Sequence, residues 1–119
     1  MNKMLFRKLD DLLDRSNHTY TLRDLVNAIE LGKLQSHVFG DTWVITEVHD
    51  YPQKRVVHIP YCVGYVDDVL LRAEPAIAEW ARSIDADMMT TVTRTGYLRK
   101  PLPDWKLTGL WCSKELKDG

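Results

Sequence analysis

The sequence predicts an α/β fold in one domain spanning residues 1–119. Two helices come first, then an antiparallel three-strand meander, a strand–helix–strand crossover and a last strand. Three observations predict this order. Apolar residues recur at helical spacing in two stretches before Gly32 and in one long stretch after Gly64. Between these, Leu34 to Tyr61 is rich in alternating and β-branched residues. Turn signals fall at Gly40-Asp41, at Asp50-Tyr51-Pro52-Gln53 and at Gly64, where the periodicity changes.

The first helix is predicted from about Asn2 to Arg15, because Leu5, Leu9, Leu12 and Leu13 share one face with Phe6 beside them. Ser16-Asn17-His18 breaks it. Its apolar stripe needs cover, either from the rest of the domain or from a partner subunit, so residues 1–16 are a candidate interaction arm. In the second helix Leu22, Leu25, Val26 and Ile29 form one face. Thr21 can cap it, with Asp24 three residues on, and Gly32 stands where a helix ends.

Leu34 to Phe39 and Thr42 to His49 form a hairpin over Gly40-Asp41. In the second strand Val44, Thr46 and Val48 alternate with Trp43, Ile45, Glu47 and His49. Arg55 to Tyr61 is a third strand, central in the sheet. Val66, Val69, Leu70, Ala73, Ile77, Trp80, Ala81 and Ile84 then follow a 3.6-residue repeat, with Asp67 or Asp68 as cap. Pro75 inside this pattern predicts a kink, or a helix restarting with proline in its first turn. Asp87 to Thr93 follows as a strand parallel to the third, since a helix crosses over between them. Leu107 to Ser113 completes the sheet as a fifth strand.

Composition excludes several function classes. The formal net charge of -1 gives no global attraction to nucleic acid or to a membrane. No apolar run approaches the ~18 residues that span a bilayer. Met1 to Leu13 is interrupted by Lys3, Arg7, Lys8, Asp10 and Asp11, and lacks the apolar centre of a signal peptide. The two cysteines, Cys62 and Cys112, sit among apolar neighbours in expected strands and read as reduced, buried thiols. His37, His49 and His58 are scattered along the chain, so no metal site is expected.

From Leu34 to Leu116 the element order resembles the GNAT N-acetyltransferase fold, truncated, with two helices added in front. It is similar in particular to the short GNAT-like proteins encoded among the virion and morphogenesis genes of tailed bacteriophages. The segments that carry the likeness are Trp80-Ala81-Arg82, Arg94-Thr95-Gly96-Tyr97 and Lys114-Glu115-Leu116. In GNAT enzymes the turn after the corresponding strand holds the pyrophosphate of acetyl-CoA on backbone N–H groups and a helix N-terminus. Its counterpart runs from Tyr61 to Asp68, so the resemblance makes Val63, Gly64 and Tyr65 the cofactor-binding residues of an active enzyme. This turn has one glycine, no basic residue, and Asp67 and Asp68 where phosphates would lie. A carboxylate facing a phosphate costs about 1 kcal/mol or more per close pair. No cofactor is therefore expected, and acetyl-CoA only if the chain is active.

Acetyl transfer needs a base, a donor to the thioester carbonyl and an acid for the leaving thiolate. Glu47 and His49 share one strand face and are the candidate bases, beside the reading as ordinary solvent-facing residues. Tyr97 stands where the resemblance places an acid, beside the reading as a packing anchor. Arg94, Arg99 and Lys100, with Arg82, form a basic cluster, which a solvated face balanced by Asp85, Asp87 and Asp104 explains better than a phosphate, a nucleic-acid backbone or an acidic partner surface does. With little aromatic interleaving, it makes nucleic acid a poor fit. Trp80 and Trp111 read as core. Trp105, after Pro103-Asp104, either anchors a partner or folds over the sheet edge.

These observations lead to a non-catalytic protein of phage virion structure or assembly. It acts through contacts with other phage structural proteins or with itself, in the host cytoplasm and in the virion. Leu5, Leu9, Leu12, Arg94, Arg99 and Trp105 are the candidate contact residues. The alternative is an active acetyl-CoA-dependent N-acetyltransferase working on a protein or a small amine.

Overall fold

The computed structural model describes residues 3–15, 19–92, 104–109 and 112–117. It is α/β, with helices on both faces of a four-stranded mixed sheet. The strands are β1 (Gln35–Phe39), β2 (Thr42–Asp50), β3 (Arg55–Val63) and β4 (Met88–Thr91), in that spatial order. β1, β2 and β3 form the antiparallel meander, and β4 lies parallel to β3. β3 is interior, as its β-branched run predicts. Phe39 pairs with Thr42, so the hairpin closes over Gly40-Asp41.

One sheet face is covered by α1 (Lys3–Asp14) and α2 (Leu22–Glu30). Leu5, Leu9, Leu13 and Leu25 pack there on Trp43, Ile45, Tyr61 and Val63. Each such leucine, fully buried, contributes about 1.5–3 kcal/mol. α2 carries the expected capping box: the Asp24 N–H donates to Thr21 Oγ1 at 3.1 Å, and the Thr21 N–H donates to Asp24 Oδ2 at 2.9 Å. The helix ends at Leu31, with Gly32 at φ 76° just beyond.

The opposite face is covered by a helix in three parts. α3 (Val66–Asp68) runs into a π-helical turn (Val69–Ala73) and then into α4 (Glu74–Ser83). Ala73 and Ile77 pack on Val44, with Phe39, Ile59, Cys62, Trp80 and Met89 around them. The π-turn is how the chain accommodates Pro75. The Glu74 N–H bonds back five residues to Val69 O, and Pro75 then falls in the first turn of α4, where a missing N–H costs nothing.

Five expectations are corrected. The stripe of α1 is not a partner surface: Leu5 and Leu9 are 0% and 1% exposed, and the half-buried Leu12 packs on the same core. Trp43 and Ile45 supply the apolar cover that the stripe needed. Asp67 and Asp68 lie inside the first turn of α3, and Asp68 makes no side-chain cap bond. β2 and β3 run further than expected, to Asp50 and Val63, while β4 ends at Thr91. The described part of Leu107 to Ser113 is not a strand, and Leu107 is 61% exposed. Trp105 Nε1 donates to Glu74 Oε1 at 3.2 Å, which ties this segment to α4 instead of to β4. Cys112 is consequently exposed, not a buried strand thiol.

Candidate functional site

A one-residue shift in the β2–β3 ladder builds the polar part of the sheet. Ile45 pairs with Tyr61, but two residues on, Glu47 pairs with His58. β3 therefore carries an extra residue at Ile59-Pro60, and a bulge is one of the few sheet positions where proline fits. Tyr61 and Val63 face α1 and α2, while Ile59 packs on the α4 side. The bulge turns His58 back to the α1/α2 face, opposite Glu47 and next to the His49–Val56 pair.

Glu47 and His49 point to one face together, as the alternation predicts, and they touch. His49 Nε2 lies 3.0 Å from Glu47 Oε1, with side chains 43% and 27% exposed. An ionised carboxylate only accepts hydrogen bonds, so Nε2 carries a proton and Nδ1 is left as the basic nitrogen. The Tyr51 ring stands 5.9 Å from the His49 ring, centroid to centroid. Across the ladder His58 Nδ1 hydrogen-bonds Thr90 Oγ1 at 2.9 Å. Burial pulls His58 below the ordinary imidazole value; the Glu47 charge opposes this and His49 adds to it. A carboxylate orienting one imidazole, with a second beside it, can accept and pass a proton. Sequence reasoning missed His58, because plain alternation from Cys62 puts it on the other face. The one available signal was Pro60 inside a central strand, which points to a bulge.

The turn after β3 is built differently. Gly64 has φ 155°, and a Cβ there would lie 2.4 Å from Thr42 Oγ1 and 3.0 Å from Thr42 Cα. Its backbone is thus pressed onto the start of β2. Lys8 Nζ sits 4.6 Å above the centre of the Tyr65 ring, so α1 reaches over the turn from the side of Val63. Asp67 and Asp68 place two carboxylates in the first helical turn, where the helix dipole favours them. These same carboxylates oppose a pyrophosphate, and Lys8 is engaged with the Tyr65 ring.

Of the other candidates, Trp105 is half-buried against Glu74. Tyr97, Arg94, Arg99, Lys100 and Trp111 lie outside the described residues. Cys62 is partly buried, and burial pushes its thiol up to about 11, so it is not a nucleophile near neutral pH. Among the described residues no group of three or more His, Cys, Asp or Glu side chains is arranged to hold a metal ion, and no helix is long and apolar enough to cross a membrane. No known protein family, no curated protein and no solved structure matches the chain.

Proposed function

We propose that this chain is a non-catalytic protein-binding module on a GNAT-like α/β scaffold, working in the structure or assembly of a tailed-phage virion. The observation that carries the non-catalytic half is the turn from Val63 to Asp68. Gly64 is packed onto Thr42, Tyr65 lies under Lys8, and Asp67 and Asp68 occupy the first turn. The virion half rests on the resemblance in the sequence.

Thermal unfolding with and without millimolar acetyl-CoA and free CoA tests the first half. A ligand at ~100 Kd stabilises by about 2.7 kcal/mol and moves the midpoint by several degrees. No movement is expected, and a clear rise in either sample overturns the reading. The second half is tested by mass spectrometry of purified particles from a source that encodes the chain. Absence from the particles and from their assembly intermediates would sink it.

A second reading, acetyl transfer to a protein or small amine, is favoured by the 3.0 Å contact between His49 and Glu47. If acetyl-CoA raises the midpoint, Glu47→Gln and His49→Ala are the variants that should abolish transfer while the protein stays folded.

A further inference from the structure

We propose that the cleft between α2 and the corner of the sheet at Leu34 and Glu47 binds an arginine side chain of a partner protein. The inference rests on the protein-binding reading above and names the surface and the partner chemistry.

The cleft holds about 440 Å³. That volume is within the ~300–1,000 Å³ of pockets that hold ligands. Its walls all come from the stretch Tyr20 to Glu47, in which every residue is described. It lies on the α1/α2 side of the sheet, where Glu47 shares a face with Trp43 and Ile45. Thr91 and Asp104, on either side of residues 93–103, line a different cleft, against α4. Ala28, Leu31 and Leu34 supply an apolar lining. Tyr20 is a fixed wall, since its ring packs at 87° to that of the buried Tyr61, with centroids 6.1 Å apart.

The charged walls define the occupant. Asp24 and Glu47 face a single cation in the lining, Lys33, so carboxylates outnumber cations two to one. Asp24 stays ionised, because the Thr21 N–H donates to its Oδ2 at 2.9 Å and holds the carboxyl below its usual range. Its Oδ1 is left to accept. Glu47 gives Oε1 to His49 at 3.0 Å, and its Oε2 is left in the same way. Lys33 makes no ion pair among the described residues, and its flexible stem lets it swing clear of a visitor. The Asn27 side-chain carbonyl adds a third acceptor. Several acceptors spread along one wall suit a cation with several donors, and a guanidinium carries five. It is also planar, more weakly hydrated than an ammonium, and stacks on aromatic rings. These properties fit a partly apolar cleft beside Tyr20 better than a lysine does.

The test is a titration of the ¹⁵N-labelled full chain with two end-blocked peptides, glycine-arginine-glycine and glycine-lysine-glycine. At millimolar concentration the arginine peptide is expected to move the side-chain amide signals of Asn27 and the backbone signals of Lys33, Leu34 and Glu47. The lysine peptide should bind more weakly. Glu47→Gln should weaken the arginine peptide by about tenfold. Lys33→Glu should tighten it by about two- to fivefold. Lys106→Glu, in the cleft against α4, should leave it unchanged. The dispersion of each variant's own spectrum reports that it is folded; if Glu47→Gln is not, Lys33→Glu decides. Unmoved signals, or equal binding of both peptides, overturns the proposal. So does equal tightening by Lys33→Glu and Lys106→Glu, which would reduce the effect to net charge, and so does a cleft that the chain's own residues already fill. Failure here leaves the acetyl-CoA result standing, whereas a midpoint raised by acetyl-CoA removes the underlying reading whatever the peptides do.

Discussion

Gly64 is packed against Thr42, and each makes a prediction. Thr42 Oγ1 is fully buried and has no hydrogen-bond partner among the described residues. An unsatisfied buried hydroxyl costs about 1–3 kcal/mol, and valine has nearly the same shape. Thr42→Val should therefore stabilise the protein by about 1 kcal/mol in urea unfolding; a loss of stability would mean the hydroxyl is satisfied. Gly64→Ala should destabilise it by about 2–4 kcal/mol, because the new methyl meets backbone as well as a side chain. Removing the hydroxyl together with the γ-methyl, by Thr42→Ala in that background, should leave most of the loss, since Thr42 Cα stays 3.0 Å from the added carbon. Little of this was legible in the sequence. A lone glycine before a helix reads as a turn, and its partner is 22 residues earlier in the chain, beyond any local pattern. Glu47 and His49 were legible because a strand's period is fixed. His58 was not, because the bulge at Ile59-Pro60 changes the phase of β3 between Tyr61 and His58.

At the scale of elements, the sequence was most informative where structure is local. The capping box of α2 and the restart of the helix at Pro75 both follow from residues within a few positions of each other. Thr21→Ala should accordingly cost about 1 kcal/mol of stability, measured by chemical unfolding, with α2 fraying first in hydrogen exchange. A fifth strand at Leu107 to Ser113 was a reasonable inference from an apolar run, but strand formation needs a partner that the run cannot specify. The stripe of α1 posed the same problem, and here the partner is the chain's own sheet. Leu9→Ala should cost about 2–5 kcal/mol without altering the state of association in sedimentation. A shift in association with stability intact would return α1 to the role of an interface.

For the molecule as a whole, acid should act on both layers. His37 lies on the α4 side, its ring 4.6 Å from that of Trp80, and His58 on the α1/α2 side. Thr46 Oγ1 donates to Gln35 Oε1 at 3.0 Å, so His37 Nε2 must donate to Thr46, also at 3.0 Å. Burial holds both imidazoles below the ordinary value of 6.5. The unfolded chain therefore binds more protons below that value, and stability must fall as pH drops through the window beneath it. The slope is at most about 1.4 kcal/mol per pH unit for each proton taken up. Asp24, held low first by the Thr21 N–H, acts only further down, below its usual 3.8. Urea unfolding at about pH 7.5 and 5.5 checks this, and His37→Gln should flatten the slope. A flat profile in the parent protein would refute it. The layered packing also has a consequence during synthesis. α1 and α2 leave the ribosome before the residues that cover them, which run from Trp43 to Val63. Until that hairpin emerges, Leu5, Leu9, Leu13 and Leu25 lack the sheet that covers them, and they attract chaperones or aggregate. Nascent chains stalled before Val63 is released should be cut by protease within α1, and longer ones protected. α1 and α2 thus wait for a sheet that is made after them.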